Sequence, residues 1–282
     1  MNIAPRYLGR GSWLARRDPR VLVLVAALFI AAAIQVWDMR LMAALLLLAL
    51  VYYRTAAIPF AAVRRNWIAA LTLLTIVVLV NTVLTGDRLE GVAVHPYFTI
   101  PLIGTVVSAE SVSYAITQWM RYVGMVAVGF PVEFCVAPSD FGVTFARLGV
   151  PEKFAFGVDL TFRFLPSLSV EYQQTIDAQR IRGFDPSKRG GGPIAKLRGI
   201  GPLMTPLTVN AIAGAEDTID AMDLRGFGTG KRTWLRHLAF DRTDWAIILG
   251  FLALAVVLTV AGFATATADL WTPQFLIDLA GG

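Results

Sequence analysis

Two ten-residue stretches hold the side chains best placed to do chemistry. The first is Thr175-Ile176-Asp177-Ala178-Gln179-Arg180-Ile181-Arg182-Gly183-Phe184, and the second is Thr218-Ile219-Asp220-Ala221-Met222-Asp223-Leu224-Arg225-Gly226-Phe227. Seven of ten positions are identical, Ile181 pairs with Leu224, and the offset is 43 residues. Each copy leads from a helical pattern into Arg-Gly-Phe. Glycine just past a helix end supplies the left-handed conformation of a C-cap, and arginine in the last turn complements the negative end of the helix dipole. Capping alone explains one such copy. It does not require Thr-Ile-Asp-Ala to recur upstream, so the pair points to two equivalent receivers. Ala178 and Ala221 lie one turn before Arg182 and Arg225, where a partner surface could approach closely. Arginine, with five donors in a planar fork, is a frequent interface anchor.

Other chemistries have weaker support. Gly226-Phe227-Gly228-Thr229-Gly230-Lys231-Arg232 resembles a phosphate-binding loop, but Arg225 stands where the first glycine belongs and Arg232 where Ser or Thr must follow the lysine. Asp220 pairs on a helix face with Glu216 and with Asp223. With no histidine beside them, these read as a solvated or partner-facing surface rather than an acid–base or metal site. His95 and His237 are far apart, and the single Cys135 excludes an internal disulfide. No metal or cofactor site is expected, and no catalytic residue.

The elements that position these residues belong to a membrane protein. Of 282 residues, 56% are hydrophobic and 16% charged, and the mean hydropathy is +0.61. Soluble domains are about a quarter charged. Several apolar runs approach the roughly 20 residues of a spanning helix, and backbone groups in lipid must be satisfied within the segment. The expected fold is an all-α integral membrane protein with about five transmembrane helices plus cytoplasmic amphipathic helices.

Val21–Trp37, Leu41–Tyr53, Trp67–Leu84, Val112–Phe134 and Trp245–Ala264 are the expected spans, the second able to extend toward Val63 if Arg54 snorkels. No small-residue cleavage site follows the first apolar run, which reads as a retained span. Residues 85–111, interrupted by Pro96 and Pro101, fit an external hairpin or surface loop. Arg121 in the fourth span should snorkel outward or pair with another helix. Arg6, Arg10, Arg16, Arg17 and Arg20 oppose one acid, Asp18, in the first twenty residues and suit contact with anionic lipid. Residues 138–242 carry fourteen Lys and Arg, while 265–282 carry none. The positive-inside rule then puts the N-terminus and the basic block in the cytoplasm and the C-terminus outside, consistent with an odd number of spans. Because the basic residues flank spans and are mixed with acids, nucleic acid is not an expected partner.

The division expected is 1–134 (about four spans with the external loop), 135–242 (a cytoplasmic helical region) and 243–282 (the last span and an external tail). Within the middle part, Pro138-Ser139-Asp140 offers an N-cap to a short helix over Phe141–Leu148. Pro151 opens a helix reaching Arg182, with Phe156, Leu160, Phe164 and Leu168 on one face and Pro166 set to kink or split it. A second helix runs from about Pro202 or Pro206 to Arg225. Both begin apolar and end polar.

With these elements in order, the chain resembles the transmembrane T component (EcfT family) of energy-coupling factor transporters, importers of the ATP-binding-cassette class. The family's mark is a pair of Ala-Arg-Gly-type motifs ending two cytoplasmic coupling helices. Here they read Ile181-Arg182-Gly183 and Leu224-Arg225-Gly226, with Ile and Leu at the alanine position. Ala137-Pro138-Ser139-Asp140, Leu148-Gly149-Val150-Pro151, Arg163-Phe164-Leu165-Pro166 before Glu171, Ala178-Gln179-Arg180 and Gly201-Pro202-Leu203 also match, covering roughly 112–234. The resemblance implies a non-catalytic scaffold in the plasma membrane. Each motif arginine would dock in one of two ATPase subunits, and a separate membrane-embedded S component would bind the vitamin or metal ion. Two readings of other classes stay open: a membrane enzyme acting on a lipid head group, which needs both repeats at one site, and an autonomous secondary transporter, which usually shows paired broken helices near the midplane.

Overall fold

A computed structural model describes residues 11–85, 95–99, 106–183, 193–230, 233–264 and 271–280. Its helices are α1 (Pro19–Gln35), α2 (Met39–Thr55), α3 (Phe60–Thr85), α4 (Ala109–Cys135), α5 (Phe141–Arg147), α6 (Glu152–Ile181), α7 (Pro193–Leu224), α8 (Arg242–Ala264) and α9 (Gln274–Ala280). The chain is thus an all-α membrane protein, carrying one small hairpin of β1 (Pro96–Thr99) and β2 (Val106–Ser108). It divides into two units, Pro138–His237 and the remaining described residues.

In the second of these units, every segment expected to span is helical, the first ending at Gln35 rather than Trp37. Phe60–Val83 and Arg242–Gly262 are long and apolar enough to cross a bilayer outright. α4 has the length at 27 residues, but Glu110, Arg121 and Glu133 interrupt its apolar run. α1 and α2 have 17 residues each, about 26 Å at 1.5 Å per residue, a little short of the ~30 Å hydrocarbon core. Both start on aspartate caps: Asp18 accepts from the Arg20 N–H at 2.9 Å and Asp38 from the Arg40 N–H at 2.7 Å. α2 does not extend toward Val63. It ends at Thr55, and Ala57 takes φ 47° before α3 begins.

α4 packs against α1, α2 and α3, and α1 against α8. A Cβ at Gly124 would lie 3.2 Å from the Phe29 ring, so α1 and α4 approach closely there. Phe130 and Phe134 pack with Val63, Tyr53 and Trp67, and the Trp67 indole donates to the Tyr53 hydroxyl at 3.2 Å.

Arg121 does not snorkel. It is buried, donates to the Val36 carbonyl and the Gln118 side-chain oxygen, and lies 4.7 Å from the Trp37 ring centroid. A long cation reaching inward in an apolar bundle is held because the α1–α2 turn presents a free carbonyl to it. Replacing it by methionine removes the donor to that carbonyl, and a buried acceptor left without one costs roughly 1–3 kcal/mol. Arg121→Met should therefore lower the melting temperature in detergent, and Arg121→Lys should fall between it and the parent.

The segment before α4 is the expected hairpin, antiparallel with Phe98 opposite Val107 and Thr99 opposite Val106. Buried Glu110 ties it down, accepting from the His95 N–H at 3.2 Å and bonding its Nδ1 at 2.8 Å. Asp87, Arg88, Glu90 and Pro101 lie outside the described residues.

The N-terminal basic cluster is only partly available to lipid. Arg17 pairs with Asp241 at 3.3 Å and Asp244 at 3.8 Å, and Arg20 with Asp18 at 2.7 Å. Arg6 and Arg10 lie outside the described residues.

In the unit Pro138–His237, three sequence expectations change. Asp140 makes no capping bond to α5. Its buried carboxylate takes Arg236 instead, 96 positions along the chain. Pro166 does not split α6, which is continuous across it. α7 starts at Pro193, well before Pro202 and Pro206, and runs through both positions. Any of three prolines could open a helix, and the first one does. α5 lies against α6, with Phe141 stacked on Phe162 at 5.4 Å between centroids.

Candidate functional site

The two repeated stretches form the ends of α6 and α7, closed by the same backbone device. Arg182 is the C-cap of α6, with φ −77° and ψ 8°, and its N–H reaches the Ala178 carbonyl at 3.3 Å. Gly183 follows at φ +83°, bonded to the Arg180 carbonyl at 3.0 Å. On α7, Gly226 takes φ +66° and bonds the Asp223 carbonyl, while the Phe227 N–H bonds the Met222 carbonyl, both at 2.9 Å. That pair of bonds closes a Schellman cap. Phe184, the counterpart of Phe227, lies outside the described residues.

A side chain at φ +66° meets its own carbonyl, costing about 1–2 kcal/mol. Gly226→Ala should therefore loosen the last turn of α7, raising amide exchange at residues 222–227 by about fivefold. The rest of the fold should be unaffected.

At both tips an apolar residue stands beside the arginine in water's reach: Ile181 is 89% exposed and Leu224 90%. Ala178, Arg182, Gly183, Ala221, Arg225 and Gly226 are exposed too. Among the described residues, neither Arg182 nor Arg225 has a hydrogen-bond or ion-pair partner for its guanidinium. Each tip thus offers a cation and an apolar side chain on a rigid helix end. Such a surface can bind a protein groove with acceptor groups at its base.

The tips differ in what lies beside them. Phe227 packs on Phe156 of α6, with centroids 4.8 Å apart. Next to this contact is a cleft of about 430 Å³, lined by Asp159 and Arg163 of α6, by Met222 of α7 and by Arg225 just past its end. Sequence reasoning missed these α6 residues. The spacing of Phe156, Leu160 and Phe164 marked a packing face but did not say that the end of α7 would close over it. The same contact sets the distance between tips. Arg225 and Arg163 line the same cleft, and Arg163 to Arg182 is about 30 Å of helix axis at ~1.5 Å per residue.

Comparison with known proteins then decides the family. The family described as cobalt transport protein, CbiQ, matches residues 10–234, which take in both tips and the cleft. This chain is a member of that family. Among family relatives, the energy-coupling factor transporter transmembrane protein EcfT of Exiguobacterium sibiricum is 33% identical over 159 residues, 53% of this chain and 59% of that one. EcfT of Leuconostoc gelidum subsp. gasicomitatum is 25% identical over 268 residues, 90% and 95% of the two chains. EcfT of Bacillus subtilis is 25% identical over 276 residues, 91% and 96%. Membership makes the chain a transmembrane component of the energy-coupling factor class, as the twin motifs suggested.

Proposed function

We propose that this chain is the scaffold of an energy-coupling factor importer, with no catalysis of its own. The tips of α6 and α7 each dock into one ATP-binding-cassette ATPase subunit. Ile181-Arg182-Gly183 with Ala178 forms one contact, and Leu224-Arg225-Gly226 with Ala221 the other. ATPase closure moves the two helices, and the helices pass that motion to a membrane-embedded S component that binds a vitamin or metal ion. In this reading 135–242 is the cytoplasmic coupling region, 1–134 and 243–282 sit in the plasma membrane, the N-terminus is inside and the C-terminus outside.

One observation carries this reading. Two glycine-capped arginine tips, unpartnered among the described residues, stand about 30 Å apart along α6, a separation that suits two receivers. It also speaks against a lipid-head-group enzyme, which would need both repeats at one active site. The decisive experiment is affinity purification of the full chain from its native membrane. Two nucleotide-binding subunits per chain and a small hydrophobic protein are expected. A chain that purifies alone and transports unaided would overturn the proposal.

A further inference from the structure

A groove between α2 and α8, of about 480 Å³, is lined by Val51 and Tyr52 on one side, by Ile247, Gly250 and Phe251 on the other, and by Trp13. Its lining is almost wholly apolar, with Tyr52 set edge-on to Phe251 at 5.9 Å between centroids. Tyr52 is 7% exposed and packs beneath the trough.

Charge indicates which occupant fits. Trp13 and Thr55 both line the groove. Arg16 follows Trp13 in one short helical turn, its N–H bonded to the Trp13 carbonyl at 3.4 Å, and Arg54 precedes Thr55. Both arginines are exposed, and among the described residues neither has an ion-pair partner. The nearby acids Asp241 and Asp244 are already matched by Arg17, which also lies 4.4 Å from the Trp13 ring centroid. The groove therefore joins an apolar trough, a tryptophan of the kind that sits at head-group level, and two unmatched cations.

We propose that this groove is a binding site for one anionic phospholipid. An acyl chain lies between α2 and α8, and the phosphate sits against Arg16 and Arg54. The site shares no residue with the helix tips and does not rest on the docking reading.

The test uses the full chain in nanodiscs of equimolar phosphatidylglycerol and phosphatidylcholine, with retained lipid read by native mass spectrometry. The parent should keep phosphatidylglycerol in preference. Arg16→Gln with Arg54→Gln should weaken its retention about 30-fold and leave phosphatidylcholine unchanged. Gly250→Phe, at a position with no atom within 4 Å of an added Cβ, should fill the trough and displace both lipids. Both changes fall on exposed positions, and an unaltered elution volume checks the fold. Equal retention of the two lipids by the parent, or no effect of the arginine pair, overturns the proposal. A photo-crosslinker at Val51 should give a lipid adduct in native membranes; a polypeptide adduct would make the groove a protein interface instead.

Discussion

Arg182→Glu is expected to release one nucleotide-binding subunit from the complex, and Arg225→Glu the other. Among the described residues, each guanidinium stands on a formed helix end without a partner, so its contribution is held for whatever docks there. A buried interface arginine is typically worth about 2 kcal/mol or more, roughly 30-fold in affinity. Charge reversal should exceed that, because the glutamate also repels the acceptor groups that received the arginine. The single variants should pull down one ATPase subunit per chain, the double variant none, and uptake should fail in all three. The amount of chain in the membrane should not change, since neither side chain supports the fold.

The pattern across variants separates three ideas. If both tips served one receiver, either single change would remove everything at once. If the arginines only completed helix caps, loss would track helix stability. Arg→Gln would then resemble Arg→Glu apart from the ~0.3–1 kcal/mol of dipole interaction. If each tip has its own receiver, the two losses are independent and additive. Retention of both subunits with normal uptake in the double variant would sink the coupling reading.

The tips were legible in the sequence because their chemistry is local. A capping glycine, an arginine in the last turn and a repeat of both lie within ten residues. The five apolar helices were legible for a similar reason, being runs of one composition. What the sequence hid depends on partners far along the chain. Asp140 looks like an N-cap until Arg236 is seen to take its carboxylate. Arg121 looks like a snorkelling anchor until the Val36 carbonyl is placed beside it. Arg17 looks like a lipid contact until Asp241 and Asp244 claim it. The start of α7 failed differently: Pro193, Pro202 and Pro206 give the same local signal, and nothing local ranks them. The cleft beside Arg225 needed Phe227 to fold back on Phe156, a contact between repeat and face that no single pattern contains.

Gly142→Val is expected to be the most destabilising single change in the unit Pro138–His237. A Cβ at Gly142 would lie 2.6 Å from the Asp159 Cβ and 3.0 Å from the Ala155 carbonyl oxygen. Ala155 is itself fully buried. These atoms belong to the backbone or are fixed to it, so no flexible side-chain end can swing away. Relief requires α5 to lift off α6, which breaks the Phe141–Phe162 stack and strains the pairing of Asp140 with Arg236. Overpacking usually costs 1–3 kcal/mol, and a β-branched side chain against immovable backbone should reach about 3 kcal/mol. Limited proteolysis should then cut Pro138–His237 first while the apolar helices stay protected. ATPase docking should fall even though both tip arginines are intact. Serine should be almost as damaging as valine, because the clash begins at the Cβ itself. A Gly142→Ser variant as stable as the parent would mean that α5 and α6 do not approach this closely.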